Sequence, residues 1–208
     1  MELKMAILEN DVEKTEEIIK MELENNPLDI QWWIKLCLTE LQFPFEDYDS
    51  ALSCIEEIKK IDCSNIEALI LETAIKWHSF GFIEDELLKQ LSDVVVIDDN
   101  IMSIICYLQS LYYRYKKNKE NEKLLLNKSV TLCNKFVYPY KALGNIAIAQ
   151  SYVEDSKMLF MKALNNVEKV YDEDEFFDFT DINIYIAEFI TGTFISRANY
   201  ENLIELTV

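Results

Sequence analysis

The sequence contains very little glycine, proline or histidine: three glycines, three prolines and one histidine among 208 residues. Three glycines are too few for a glycine-rich phosphate-binding loop, and no GxGxxG or Walker-type motif occurs. Because His78 is the single histidine, neither a two-histidine metal site nor a nucleophile with a helper histidine can be assembled. We therefore expect a protein that is not an enzyme and that has no cofactor and no bound metal.

Basic residues are also scarce, with 20 Lys and Arg against 38 Asp and Glu and a formal net charge of −18. Such an excess of carboxylates repels phosphate backbones and anionic headgroups, so neither nucleic acid nor a membrane surface is an expected partner. A basic protein is the natural complement, since opposite fields accelerate encounter. The alternative is that the acidity only maintains solubility.

Long apolar runs and paired cysteine motifs are missing as well. No apolar stretch approaches the roughly 20 residues of a membrane span, and the N-terminal MELKMAILENDVEK becomes charged before a signal-peptide core could form. The five cysteines are an odd number and include no C-x-x-C pair. Buried free thiols in a reducing compartment fit this pattern, and we expect a cytoplasmic protein.

Apolar residues, by contrast, make up 50% of the chain and recur at three- and four-residue spacing, which predicts helices throughout. Two such segments are DSALSCIEEIKKID and DELLKQLSDVVVID, and they superimpose with a shift of 36 residues. The apolar stripe predicted for the second segment consists of Leu87, Leu88, Leu91, Val94 and Val95. A period in the mid-thirties that contains two helices is typical of an α-solenoid.

One stretch, YPYKALGNIAIAQSYVEDSKMLFMKALNN, has a more specific pattern. Tyr140 precedes a Leu-Gly pair that ends at Gly144, and the second helix carries Ser156, Phe160 and Ala163. This order resembles the tetratricopeptide repeat, specifically over 138–166 and in degenerate form over 11–137. Gly144 would let the second helix approach closely, while Phe160 would fill the space between hairpins.

The resemblance implies an all-α fold: a right-handed superhelix of tetratricopeptide-like helical hairpins with a C-terminal capping helix pair. We predict a single helical-repeat domain over 1–208. It would contain repeats of about 36 residues at 11–171, an acidic loop at 172–181 and capping helices at 182–208. The earlier repeats depart from the family pattern, because Leu36, Glu72 and Leu108 stand where its glycine should be.

Solenoids of this family usually bind partners through the concave face made by their first helices. The residues predicted for this face are Trp33, Leu41, Leu69, Trp77, Gln109, Tyr113, Lys141 and Asn145. Either an apolar helix or extended segment of a partner occupies such a groove, or the chain's own C-terminal helices fill it. Lys141 and Asn145 match the start of the carboxylate clamp of chaperone-binding members, but the further basic and amide residues of that clamp are missing.

The segment 172–181 contains six acidic residues and no basic one. It is open to interpretation as a solvated loop, a contact patch or a calcium site. The calcium interpretation fails in detail, because Phe177 and Asn183 stand where a calcium loop needs glycine and glutamate. The acidic patch that we predict to contact a basic partner consists of Asp172, Glu173, Asp174, Glu175 and Asp178.

Together these features predict a non-catalytic protein-binding module. Its most concrete form is an acidic immunity or inhibitor protein that binds and neutralises a basic toxin or effector partner. The alternative is a tetratricopeptide adaptor or co-chaperone that captures a peptide tail or an apolar segment. The oligomeric state is left open.

Overall fold

A computed structural model describes residues 2–9, 11–41, 45–95 and 97–170. Within these ranges the chain forms ten α-helices and no strand, which confirms the predicted all-α class. The helices are α1 (Glu2–Leu8), α2 (Val12–Asn25), α3 (Ile30–Glu40), α4 (Tyr48–Ile61), α5 (Ile66–Phe80), α6 (Asp85–Asp93), α7 (Asp99–Tyr115), α8 (Lys119–Leu132), α9 (Val137–Ala149) and α10 (Val153–Val170). The predicted acidic loop and capping helices, at 172–208, lie outside the described residues.

Consecutive helices pack as hairpins within each unit: α3 packs on α4, α7 on α8 and α9 on α10. The first helices begin at Ile30, Ile66, Asp99 and Val137, which are 36, 33 and 38 residues apart. These intervals vary around the predicted period in the mid-thirties. Aspartate side chains accept backbone N–H groups at the starts of α2, α3, α4 and α7, which is the usual N-terminal cap.

The chain divides into two compact units, unit 1 at Met1–Ser79 and unit 2 from Phe80 onward. The largest fully buried side chains of unit 1 come from α2, α4 and α5: Ile19, Ile55, Ile58, Ile70, Leu71 and Ile75. Those of unit 2 include Leu91, Ile104, Ile105, Tyr138 and Phe160. Each unit therefore has a core of its own, built from the apolar stripes that the sequence displays.

Glu72 stands where the repeat pattern calls for a glycine, and it makes ion pairs instead of a close helix contact. Its carboxylate pairs with Lys59 of α4 and, at 3.2 Å, with Lys76 one turn along α5. Nearby, the ring of His78 lies 5.4 Å from that of Tyr48 at the start of α4. The Glu72–Lys59 pair and the contact between His78 and Tyr48 therefore join α5 to α4 through side chains.

The predicted apolar stripe of α6 is correct at Leu87 and Leu91, which are buried, but wrong at Val94 and Val95. The helix ends at Asp93, and Val94 is extended. Val95 is 91% exposed. β-branched side chains lose rotamer freedom in a helix, and the aspartate that follows this run caps the next helix instead. The 36-residue superposition therefore breaks down after Asp93.

The cysteines are all free thiols, and four of the five are buried: Cys37, Cys54, Cys106 and Cys133. Cys63 is exposed. Burial raises the pKa of the Cys54 thiol to about 12 and also raises that of Cys37. These two thiols stay protonated at neutral pH, so they act as small apolar core residues rather than as nucleophiles.

The close approach predicted for Gly144 and Phe160 is present between α9 and α10. A Cβ atom at position 144 would lie 2.5 Å from Cε1 of Phe160, well inside van der Waals contact. Phe160 and Ala163 are fully buried, and Tyr140 is 7% exposed. The most specific part of the sequence pattern therefore forms a close helix contact that depends on a glycine.

We expect Gly144→Ala to destabilise the protein by about 1–3 kcal/mol, because the added methyl group overpacks against Phe160. Asn145→Ala is the matched control, since it replaces the next, exposed residue of α9. Urea unfolding of both variants measures the effect. A Gly144→Ala variant that gains as much stability as Asn145→Ala would show that helix propensity outweighs packing here.

Candidate functional site

Four of the residues predicted for the concave face lie in unit 1. Trp33, Leu41 and Trp77 are half-buried, whereas Leu69 is 9% exposed. The Trp33 indole Nε1 donates a hydrogen bond to the Pro27 carbonyl at 2.9 Å, which orients the ring at the start of α3. A half-buried indole whose N–H is already hydrogen-bonded presents apolar surface and loses little side-chain entropy on binding. Such residues are typical anchors of protein interfaces.

Two other predicted residues, Gln109 and Tyr113, come together in a groove of unit 2 with a volume of about 190 Å³. We call it the unit 2 groove. Its walls come from three helices: Leu88 and Ser92 of α6, Gln109 and Tyr113 of α7, and Asn121, Leu124 and Leu125 of α8. Leu124 is 66% exposed, so the groove presents apolar surface to the outside.

Hydrogen bonds hold α6 against α7 beside the groove. Gln109 Nε2 donates to Ser92 Oγ at 3.1 Å, and Tyr112 Oη donates to Asp85 Oδ1 at 2.9 Å. Lys116 Nζ lies 3.2 Å from the same Asp85 oxygen. The hydrogen bond from Tyr112 and then the one from Lys116 lower the pKa of the Asp85 carboxyl. These contacts are spaced along α6 and α7, and they hold the two helices together where they line the groove.

The size and lining of the groove indicate the kind of ligand that it suits. Sites for small molecules and cofactors usually enclose roughly 300–1,000 Å³, which is more than this groove offers. Leucine side chains beside a phenol and two amides match one or two side chains of a peptide segment better. In the described residues, no group of His, Cys, Asp or Glu side chains is placed to hold a metal ion.

Sequence reasoning missed five of the seven groove residues, because it considered only the first helix of each hairpin. The missed residues, Leu88, Ser92, Asn121, Leu124 and Leu125, belong to the second helices α6 and α8. It also missed an exposed aromatic cluster, in which the ring of Phe82 lies 6.2 Å from that of Phe80 and 5.8 Å from that of Tyr115. The available signal was the number of aromatic residues in WHSFGF and LYYRY.

The remaining predicted residues do not line the groove. Lys141 and Asn145 lie one turn apart on α9, with Lys141 half-buried and Asn145 exposed. Burial lowers the pKa of the Lys141 ammonium. The acidic patch, with residues Asp172, Glu173, Asp174, Glu175 and Asp178, lies outside the described residues and stays a prediction.

Carboxylates dominate the surface of unit 1. Lys20, Lys59, Lys60 and Lys76 each form an ion pair with a glutamate of the same unit. On α2, three exposed glutamates share one side of the helix: Glu13, Glu17 and Glu24, which we call the α2 carboxylate stripe. Most lysine charge in this unit is therefore matched internally, and the stripe contributes to the acidic excess.

Glu40, at the end of α3, is an exception, because it is 8% exposed. Burial raises the pKa of its carboxyl, and the neighbouring Glu16 carboxylate raises it further. A raised pKa means that the folded protein holds this proton more tightly than the unfolded chain does. The contribution of Glu40 to stability is therefore complete below its unfolded pKa of about 4.3 and is lost as pH rises through its folded pKa.

We expect Glu40→Gln to raise the free energy of unfolding at pH 7, and we expect the gain to shrink toward zero near pH 4. Glu17→Gln is the control, because it removes an exposed carboxylate of α2. Urea unfolding of both variants across pH 4–8 tests this expectation. A Glu40→Gln gain that does not depend on pH, or one that the control matches, would contradict it.

Among the described helices, none combines the length and the apolar composition that crossing a bilayer requires. No protein-family model matches the sequence, and no curated protein matches it significantly. Two crystal structures of MamA, a tetratricopeptide-like protein, resemble this structure. One aligns with a TM-score of 0.56 at 15% identity over 79% of this chain and 93% of MamA. The other aligns with a TM-score of 0.55 at 16% identity over 82% of this chain and 92% of MamA. This chain therefore has the tetratricopeptide-like helical-repeat fold that Gly144 and Phe160 indicated.

Proposed function

We propose that this chain is a non-catalytic protein-binding module, and most concretely an acidic immunity or inhibitor protein that binds and neutralises a basic toxin or effector partner. One observation carries the proposal, the distribution of charge. Unit 1 has 18 acidic and 7 basic residues, a net charge of −11, whereas residues 80–170 have 11 acidic and 12 basic residues, a net charge of +1. The acidic excess is therefore concentrated in unit 1 and is absent from residues 80–170.

The α2 carboxylate stripe gives this charge a surface on which to act. Its three glutamates are exposed, and Lys20, beside them, already pairs with Glu16. Such a field attracts a positively charged partner over about a Debye length and disfavours acidic ones. Charge of this kind sets the rate and the specificity of association more than its final strength.

Apolar anchors supply the affinity in this proposal. The half-buried Trp33 and Trp77 of unit 1 are aromatic residues of the type that contributes most to interfaces, and Leu41 is half-buried as well. The predicted acidic patch at 172–178 would add a second region of negative charge. In this proposal nucleic acid and membranes are not partners, and the buried free thiols fit the reducing conditions of the cytoplasm.

The alternative function, an adaptor or co-chaperone that captures a peptide tail or apolar segment, is supported by the unit 2 groove. The groove has the size of one or two side chains, and Gln109, Tyr113 and Asn121 offer polar contacts along it. Lys141 and Asn145 would contact a terminal carboxylate in that case. Charge supports the first function and groove geometry supports the second, so the two are separable by mutation.

The test uses the full chain as bait in its native cell, followed by affinity measurements with the purified partner. We expect a partner of net positive charge. The variant Glu13→Lys/Glu17→Lys/Glu24→Lys should weaken binding by about tenfold or more, since it reverses the α2 carboxylate stripe. Wild-type binding should also weaken as salt rises from about 50 to about 500 mM.

The matched control is Glu86→Lys/Glu120→Lys/Glu154→Lys, which reverses three exposed carboxylates of unit 2 and should change affinity by less than about twofold. Lys141→Ala and Leu124→Ser should be tolerated equally well. A partner of neutral or acidic charge contradicts toxin neutralisation. Loss of binding in Lys141→Ala or Leu124→Ser, together with insensitivity to salt, would instead establish the adaptor function.

A further inference from the structure

We propose that the unit 2 groove is a docking site for an acidic, aromatic segment of the same chain, residues 171–181. Charge is the first reason. Residues 114–135, which span the end of α7 and all of α8, contain seven basic and two acidic residues, a net charge of +5. The segment YDEDEFFDFTD contains six acidic residues and no basic one. The two stretches therefore carry charge of opposite sign, and α9 and α10 separate them along the chain.

A lysine side chain lies on α8 next to the residues that line the groove. Lys128 lies one turn beyond Leu124 and Leu125, on the same side of the helix, since residues three and four apart are neighbours. Its ammonium acts on the buried Cys106 thiol of α7, opposing the effect of burial on the pKa of that thiol. Lys128 is exposed, and its neighbour Ser129 is held against α7 by hydrogen bonds with Ser103 at 2.8 and 2.9 Å.

Two further exposed lysines lie near the two ends of α8. Lys135 follows the end of α8, and Lys117 lies one turn beyond Tyr113 at the end of α7. Within this stretch the buried Glu122 pairs with Arg114 at 2.8 Å, and Lys116 pairs with Asp85 of α6 at 3.2 Å. The basic excess therefore rests on the lysines at 117, 119, 123, 128 and 135, against the exposed Glu120. An extended acidic segment that runs along α8 would meet positive charge before, beside and after the groove.

The segment also matches the apolar part of the groove. Phe176, Phe177 and Phe179 stand between its carboxylates, and the groove has room for one or two side chains between Leu88, Leu124 and Leu125. An aromatic ring that enters the groove would cover Leu124, which is otherwise 66% exposed. Burial of apolar area contributes roughly 25 cal/mol per Å², so charge and apolar contact would act together.

The end of α10 places the segment within reach. Asn166 Nδ2 donates to the Asn134 carbonyl at 2.6 Å, so α10 passes the end of α8 about one turn before its own end. From there, Leu124 is about 12 Å back along α8, and Val170 is about 6 Å beyond Asn166 on α10, at 1.5 Å per residue. Nine extended residues span about 30 Å, which is enough to bring Phe177 and Phe179 to the groove.

Docking in cis would affect how a partner binds, whatever its identity. A tethered segment acts at an effective concentration of the order of millimolar, so a peptide from another protein would have to displace it from the groove. A basic partner would have to compete with Lys117 and Lys128 for the same carboxylates. The inference goes beyond the proposed function, because the segment can dock whether or not a toxin exists.

The direct test is zero-length carbodiimide crosslinking of the full chain at low micromolar concentration, with mass-spectrometric identification of the joined residues. This reagent forms an amide between a lysine amine and a carboxylate in contact. We expect intramolecular crosslinks from residues 172–178 to Lys117, Lys128 or Lys135. Crosslinks from the segment only to unit 1 lysines, only between two copies, or to no lysine at all would overturn the proposal.

A matched pair of variants supplies an independent measurement. Lys128→Glu reverses the charge beside the groove, while Lys123→Glu reverses an exposed charge on the opposite side of α8. With chymotrypsin, which cleaves after the segment's phenylalanines, Lys128→Glu should be cut there about fivefold faster, and Lys123→Glu within about twofold of the parent. Leu124→Ser should also accelerate cleavage. Equal rates in Lys123→Glu and Lys128→Glu, with circular dichroism unchanged, would contradict docking on this face.

Discussion

The structure depends on one constraint: a helix with a single apolar face must bury that face against a neighbouring helix. The chain meets this constraint in different ways along its length. In unit 2, Gly144 allows Phe160 to pack directly against α9. In unit 1, Glu72 reaches Lys59 and Lys76 by ion pairs instead. Ion pairs that solvent reaches contribute little, so we expect the contact at Gly144 to matter more to stability than the half-buried pairs of Glu72.

The surfaces available for binding follow from this packing. Because each helix turns its apolar side inward, its charged side is free to vary, and the two units use that freedom differently. Unit 1 carries the α2 carboxylate stripe, whereas residues 114–135 of unit 2 carry a basic excess beside the groove. A single net charge of −18 therefore describes neither region.

The repeat period, the all-α class and the contact between Gly144 and Phe160 were predictable, because each follows from spacing and side-chain size. The end of α6 at Asp93 was not, because the periodic pattern continues through Val94 and Val95 while β-branching and the cap at Asp98 end the helix. The groove was only partly predictable. Gln109 and Tyr113 follow from the pattern of first helices, but Leu88, Leu124 and Leu125 join them only through the packing of α6 and α8 on α7.

The central claim is that recognition of a partner occurs on the acidic surface of unit 1. The most direct measurement is amide hydrogen exchange of the full chain, followed by mass spectrometry, with and without the partner isolated from its native cell. The account predicts slower exchange in α2 and near Trp33 in the complex, with α6 and the first half of α8 unchanged or faster. Protection confined to α6, α7 and α8, with α2 unaffected, would contradict it and would place recognition in the unit 2 groove.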